Sequence, residues 1–202
     1  MRLYTLRMQR SPEDIQDELL VLRCQGGDQE AFHALVSRWE PRLQRLAVRL
    51  TADRDVARDL VQDAWLAIVR GLRRVDDPAR FRVWTYRIVT NKCMDWLRRR
   101  QVRRDAARDL QAAATARNGD GGQPTSDIPE GIDRLYTGLR QLPDDQRAIL
   151  SLHYLDGLGV SEIAAVFDLP TGTVKSRLYN ARVRLRKTLQ ESDHERSGQE
   201  NH

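Results

Sequence analysis

Two short amphipathic segments separated by a tight turn occupy residues 160–189, VSEIAAVFDLPTGTVKSRLYNARVRLRKTL, and constrain the fold more than any other feature. From residue 171 onward, apolar residues recur at helical spacing and share one face: Val174, Leu178, Ala181, Leu185 and Leu189. The same segment carries six basic residues and no acidic one. The pattern predicts a helix-turn-helix whose second helix lies against DNA. An ordinary helical hairpin with a solvated basic face is the alternative.

The turn between the two segments contains an unusual residue. Asp168 stands where such turns prefer glycine. Aspartate tolerates left-handed backbone better than most residues, so the turn is still expected. Ile163, Ala164 and Phe167 of the first segment are expected to share a small core with the second.

A second basic stretch, residues 81–104, interleaves its charges with aromatic rings. FRVWTYRIVTNKCMDWLRRRQVRR holds eight basic residues against the single Asp95, and its rings are Phe81, Trp84, Tyr86 and Trp96. Basic side chains neutralise phosphates and aromatic rings stack on exposed bases, so the stretch predicts a surface that holds one strand of opened DNA. The alternative for a ring such as Trp84 is a place in the core, because Trp84 and Ile88 are at helical spacing.

The net charge of +5 and the pI near 9.6 arise because the two basic stretches outweigh an otherwise acidic chain. Residues 81–104 carry a net +7 and residues 171–189 a net +6, so the rest of the chain sums to −8. Charge that served only solubility would be spread more evenly, and the concentration favours nucleic-acid contact. With 202 residues, 40% of them apolar and 6% aromatic, the chain suits small helical cores rather than a large sheet.

Cysteine and histidine usage predicts neither a metal site nor a cofactor. Cys24 and Cys93 are the only cysteines, and they form no ligand-spaced cluster with the four histidines. No apolar run approaches the ~18 residues of a membrane span or follows a basic start as in a signal peptide. These features predict a cytoplasmic protein without membrane insertion.

Apolar stripes at helical spacing divide the chain into two helical blocks. Residues 14–104 predict a compact domain of four helices with short turns. Residues 105–131 are acidic and contain NGDGGQPTSD, which predicts a flexible linker. A second domain is expected over residues 132–189 and a disordered tail over 190–202. The expected fold class is therefore all-α, with two small helical domains joined by a flexible linker.

This layout resembles the sigma-70 family, and within it the group IV or extracytoplasmic function (ECF) sigma factors. In that family two helical domains confer promoter recognition on bacterial RNA polymerase. The resemblance covers nearly all of residues 17–189, and GTVKSRL from Gly172 is close to the family signature of the helix that reads the −35 element. It implies −35 DNA binding by Thr171, Thr173, Lys175, Ser176, Arg177 and Asn180.

The first domain resembles the family region for core polymerase and the −10 element. DLVQDAWLAIVRGL is similar to the segment that binds the clamp helices of the polymerase largest subunit, which implies that role for Asp59, Gln62, Asp63 and Trp65. FRVWTYRIVTNKCMDWLRRR is similar to the segment that captures and helps melt the −10 element, with family positions at Trp84, Arg87, Asn91, Asp95, Arg98 and Arg99. Further candidates in that stretch are Arg82, Tyr86 and Lys92, and the loop of residues 75–80 corresponds to one that receives a flipped base.

Two departures limit what the resemblance implies. Val75 stands where family members often have an aromatic residue, and Asn180 where they often have arginine, so the promoter sequence does not carry over. The implied partners are core RNA polymerase, promoter DNA and an anti-sigma factor, with no small-molecule substrate.

Two other classes of function compete with this interpretation. A stand-alone regulator could bind duplex DNA through the same helix-turn-helix, but no heptad run or ligand domain supplies the dimer interface that paired half-sites require. A metal-dependent enzyme could use carboxylates that share a helix face, namely Asp53, Asp55, Asp59 and Asp63. The chain has no glycine-rich phosphate loop and no histidine–carboxylate constellation, so an enzyme is not expected.

Overall fold

The computed structural model describes residues 11–112 and 137–199, and within these ranges every regular element is helical. The α-helices are, in chain order, α1 (Pro12–Gln25), α2 (Gln29–Thr51), α3 (Arg54–Leu72), α4 (Phe81–Ala112), α5 (Asp144–Leu150), α6 (Val160–Phe167) and α7 (Thr171–Gln199). A 3₁₀ turn, Pro78–Arg80, leads into α4, and a π-helical turn, Ser151–Leu155, continues α5. The all-α class is confirmed. No described helix is both long and apolar enough to cross a membrane.

Short polar side chains begin the first three helices. Ser11 forms a capping box with Asp14 at the start of α1. Asp28 accepts a hydrogen bond from the Ala31 N–H at 3.0 Å, and Asp53 accepts from two N–H groups of the first turn of α3. Each carboxylate or hydroxyl satisfies a backbone donor that has no partner inside the helix. The breaks at Asp28 and Asp53 therefore become tight helix–helix connections.

Aromatic contacts organise the core of the first domain. The Trp39 ring is fully buried and meets Phe81 edge-on at 5.3 Å and Tyr86 at 5.6 Å between ring centroids. Cys93 is also fully buried, and Cys24 is nearly so. Both thiols serve here as small apolar side chains, and burial raises the pKa of Cys93 to about 12.

The second domain folds around the turn predicted at Asp168. That residue ends α6 with a φ of 55°, and its N–H donates to the Ala164 carbonyl. The turn brings Ile163 of α6 against Val174 of α7 in one core, and α7 packs on both α5 and α6. The predicted apolar face of α7 is confirmed, with Val174, Leu178 and Ala181 buried.

The two domains pack against each other across a partly charged contact. Helix α6 lies along α4, and α5 with its π-helical turn lies against α2 and α4. Arg49 of α2 forms an ion pair with Asp156, and the two side chains are 5% and 7% exposed. Arg147 of α5 donates to the Leu50 carbonyl at 2.6 Å. The sequence did not predict this packing, because it placed a flexible tether between independent domains.

The structure differs from the sequence-based predictions at the end of α4, at the end of α7 and in the buried face of α1. Helix α4 continues to Ala112, so the predicted linker begins inside a helix, while residues 113–131 lie outside the described part. Helix α7 extends to Gln199, into the tail expected to be disordered. Helical spacing in α1 predicts an apolar set of Ile15, Leu19, Leu20 and Leu22, of which only Leu20 is buried, and the helix also buries Asp17, Val21 and Cys24.

Candidate nucleic-acid interface

A cavity of about 740 Å³ lies beside Trp84, between the end of α3, the loop before α4 and the first turns of α4. Its walls from the first domain are Gly71, Arg74, Val75, Asp76, Asp77, Arg80, Val83, Trp84 and Arg87. The loop expected to receive a flipped base and the ring expected to contact it therefore line one space. Arg74, Arg80 and Arg87 place cationic groups around an aromatic wall, the combination that suits an unstacked base and its phosphate.

The Trp84 ring packs closely against Gly71, which has no side chain to block it. A Cβ atom built on Gly71 would lie 2.7 Å from Cζ2 of Trp84, closer than a real side chain can approach. The ring also meets Phe81, at 6.2 Å between ring centroids with a 50° tilt. Trp84 is half-buried, so it packs against the core and lines the cavity with the same ring. The core and base-contact interpretations of this residue are both compatible with the geometry.

The remaining −10 candidates on α4 form a solvent-facing track. Arg87, Asn91, Arg98 and Arg99 are exposed along the helix, and Asp95 pairs with Arg98. Lys92 is half-buried and lies 3.8 Å from Asp63 of α3. This ion pair connects the predicted −10 surface to the predicted polymerase surface.

Two −10 candidates point instead into the contact between the domains. Tyr86 is 2% exposed, and its hydroxyl lies 3.4 Å from the Asp156 carboxylate. Burial, followed by the charge of Asp156, raises the pKa of Tyr86 well above its usual range. Arg82 donates to the Asp156 carbonyl at 2.6 Å. No base can stack on Tyr86 in this arrangement.

The −35 candidates lie on the side of α7 opposite its apolar face. Thr171, Lys175, Ser176 and Asn180 are exposed. Arg177 and Thr173 are half-buried; Arg177 lies 3.3 Å from Asp145 of α5, and the Thr173 carbonyl accepts from Ser176 Oγ at 2.9 Å. The pair with Asp145 orients the Arg177 guanidinium before any DNA is bound.

The polymerase candidates share an exposed face of α3. Asp59, Gln62 and Asp63 are exposed, whereas Trp65 is half-buried and meets Phe32 edge-on at 6.2 Å. Sequence reasoning missed two apolar neighbours, Leu66 and Val69, which are 56% and 50% exposed. The available signal was their position off the apolar stripe of α3.

Gly71 and Arg74 were also missed as parts of the cavity wall. They precede the loop at residues 75–80 that the resemblance identified, so only their proximity in the fold assigns them. Three of the four aspartates weighed as metal ligands have other partners: Asp53 caps α3, Asp55 lies 3.3 Å from Arg58, and Asp63 lies near Lys92. Within the described residues no group of three or more ligating side chains could hold a metal ion.

Comparison with known proteins matches both domains to the same family. Residues 35–103 match "Sigma-70 region 2" and residues 132–185 match "Sigma-70, region 4". The ECF RNA polymerase sigma-E factor of Escherichia coli K12 is 36% identical over 179 residues, which are 84% of this chain and 92% of the relative. The sigma-E factor of Haemophilus influenzae is 32% identical over 187 residues, covering 88% and 97% of the two chains.

Two solved structures also match the fold of this chain. CnrH in complex with the cytosolic domain of CnrY matches with a TM-score of 0.65 and 27% identity, over 87% of this chain and 98% of that one. RpoE of Bartonella quintana, solved with the anti-sigma factor NepR, matches with a TM-score of 0.62 and 24% identity over 79% and 96%. The second likeness concerns the fold alone. With both domains matched in order and relatives above 30% identity over most of its length, the chain belongs to the ECF sigma factors of the sigma-70 family.

Proposed function

We propose that this chain binds core RNA polymerase through α3 and directs initiation at promoters by recognising a −10 element with α4 and a −35 element with α7. The observation that carries the proposal is the cavity beside Trp84, because it joins the loop at residues 75–80, an aromatic wall and three arginines in one place. A duplex-binding regulator has no use for a cavity that sets a tryptophan ring beside three arginines, a combination that suits single-stranded DNA.

Each surface supplies a different part of the free energy of promoter opening. Separating the −10 duplex costs roughly 1.4 kcal/mol of stacking per base-pair step. Stacking of a captured base on an aromatic ring contributes roughly 1 to 3 kcal/mol, and the contacts of α7 with groove edges and phosphates add further binding. No step requires a catalytic side chain, since the chemistry of RNA synthesis belongs to the polymerase.

The polymerase surface combines charge with apolar area. Asp59 and Asp63 supply negative charge, and the exposed Leu66 and Val69 supply apolar groups that lose water on docking. Apolar contacts at the centre of an interface and charges around them are the usual division of labour in protein recognition. We include Leu66 and Val69 in the proposed interface.

The proposed setting is the bacterial cytoplasm, where polymerase and promoter DNA are found, and control by an anti-sigma factor is part of the proposal. Its support is that two structural relatives, CnrH and RpoE, were solved as complexes, the latter with a protein described as an anti-sigma factor. Such a partner would act by covering the polymerase or DNA surfaces described above.

Reconstituted transcription tests the proposal. Purified chain and bacterial core polymerase are incubated with genomic promoter fragments, and transcript 5′ ends are mapped by sequencing, with core polymerase alone as the control. We expect new, discrete start sites that share two upstream elements. Leu66→Ser should reduce transcription and co-elution with core polymerase together, whereas Leu19→Ser, on the similarly exposed face of α1, should leave co-elution unchanged. Absence of new starts and of co-elution would instead favour the duplex-binding regulator.

A further inference from the structure

The helix-turn-helix domain closes one side of the cavity beside Trp84. Ser161, Glu162 and Ala165, all from α6, complete the wall that Trp84 and Arg87 begin. Asp168, at the end of α6, lies 3.8 Å from the Arg87 guanidinium. A carboxylate therefore sits where a DNA phosphate would approach that arginine. Helix α6 therefore takes up part of the surface that a single strand would use.

A buried ionic cluster holds the domains in this arrangement. The Asp156 carboxylate pairs with Arg49 of α2, and both side chains are more than nine-tenths buried. The second carboxylate oxygen faces the Tyr86 hydroxyl at 3.4 Å, and the backbone carbonyl of Asp156 accepts from Arg82 at 2.6 Å. One residue of the second domain thus contacts three residues from two helices of the first.

A second contact lies at the other edge of the domain interface. Arg147 is 6% exposed and donates to the Leu50 carbonyl at 2.6 Å while its guanidinium also contacts Asp144 at 2.5 Å. The Leu50 carbonyl belongs to the last turn of α2, where backbone acceptors lack partners within the helix. Arg147 of the second domain supplies the hydrogen-bond donor for the Leu50 carbonyl.

We propose that the helix-turn-helix domain and single-stranded −10 DNA compete for the surface around Trp84, and that the Asp156–Arg49 pair latches the domains in the closed form that excludes DNA. The latch is inferred from the contacts between the domains, whereas the competition with DNA also rests on the proposed function. Two of the −10 candidates, Arg82 and Tyr86, contact Asp156 through their polar groups in the closed form, and these groups are released when the latch opens.

The physical reason is the cost of a buried charge without its partner. Removing one side chain of a buried ion pair leaves the other charge buried without a partner. This desolvation cost disappears when the domains separate and water solvates the remaining charge. The apparent affinity of a surface that is open only part of the time falls in proportion to its open fraction. Breaking the latch should therefore raise affinity for single-stranded DNA without adding any contact to it.

The test uses the full chain without polymerase, so that opening is observed directly. Small-angle X-ray scattering gives the radius of gyration, and fluorescence anisotropy gives the affinity for a labelled single strand of mixed sequence. The variants are Asp156→Ala, Arg49→Ala and the double variant, and circular dichroism verifies their helix content. The control pair is Asp55→Ala and Arg58→Ala, which breaks an exposed ion pair within α3.

We expect each latch variant to be more extended than the wild type and to bind the single strand roughly tenfold more tightly or better. The double variant should resemble the single ones, because both changes act through one contact. The control variants should match the wild type in both measurements. Since Arg49→Ala and Asp156→Ala alter different domains, a folding defect in one leaves the other as the test.

Two results would overturn the proposal. If neither latch variant is more extended than the wild type, the Asp156–Arg49 pair does not hold the domains together. If the variants extend but bind the single strand no better, α6 does not compete with DNA. Failure of the proposed function has a different signature, which is the absence of promoter-specific starts from wild type and latch variants alike when core polymerase is present.

Discussion

At the scale of single residues, the candidate interface depends on which part of the Trp84 ring is left free to contact a base. Trp84 uses one side to pack against Gly71 and Phe81 and leaves another to the cavity. A side chain that is half core and half surface satisfies both interpretations that helical spacing allows for it. Its position is therefore sensitive to small changes in the neighbour that it packs against.

Gly71→Ala should displace the Trp84 ring, because the new methyl group would lie 2.7 Å from Cζ2 and the ring must move to restore contact distance. We expect slower promoter opening with unchanged co-elution with core polymerase, measured by permanganate footprinting of the −10 region and by gel filtration. Leu22→Ala, at an exposed position of α1 outside the proposed DNA and polymerase surfaces, is the control. Equal opening rates in the Gly71→Ala variant and the wild type would contradict a role for the position of Trp84.

At the scale of helices, capping explains residues that invited a catalytic interpretation. Asp53 is one of four aspartates near the start of α3, and its carboxylate accepts from the N–H groups of Asp55 and Val56 at 3.0 and 3.1 Å. Asp53→Ala should cost about 1 kcal/mol of stability because those donors lose their partner. A thermal melt should show a fall of roughly 2–4 °C in Tm, as expected for a chain of this size.

Asp53→Ser keeps a capping oxygen and should restore most of that stability. Asp55→Ala removes an aspartate from the same turn without removing the cap, so its melt is the control. A melting temperature for Asp53→Ala that equals the wild type would show that the cap contributes nothing to stability.

Helical periodicity and turn residues were sufficient to predict most elements, but not their packing. The apolar face of α7 and the left-handed turn at Asp168 follow local rules that the sequence displays directly. Helix α1 does not follow them: it buries Asp17, because the carboxylate forms a 2.5 Å ion pair with Arg38 of α2, and turns leucines such as Leu19 outward. A partly buried ion pair between residues far apart in sequence leaves no periodic signal in either segment.

The same limitation explains the boundaries and the domain contact. Residues 105–112, DAARDLQA, continue α4 as helix, so the linker predicted from composition begins within that helix. Arg49 and Asp156 are charged and far apart in sequence, which favours solvent-exposed positions for both. Their burial depends on the two domains meeting, and only the three-dimensional arrangement contains that information.

At the scale of the whole molecule, the closed arrangement treats the two DNA surfaces differently. It lines one side of the cavity with α6 and contacts Arg82, Tyr86 and Arg87. It leaves the basic side of α7 facing solvent, because the main packing partners of α7 among the described residues are α5 and α6. A chain in this form can meet duplex DNA through α7 before it can hold a single strand.

Duplex affinity should therefore be independent of the latch. We expect Arg177→Ala to weaken binding to a duplex carrying the mapped −35 element by about 1 to 3 kcal/mol, because an arginine positioned by Asp145 loses its contact. Asp156→Ala and the control Arg58→Ala should leave that affinity unchanged. Anisotropy titrations at several salt concentrations measure both effects, since log K falls with log salt by roughly 0.9 per phosphate neutralised. A gain in duplex affinity with Asp156→Ala equal to its gain for single strands would mean that the closed form hides α7 as well, and the two DNA surfaces would then open together.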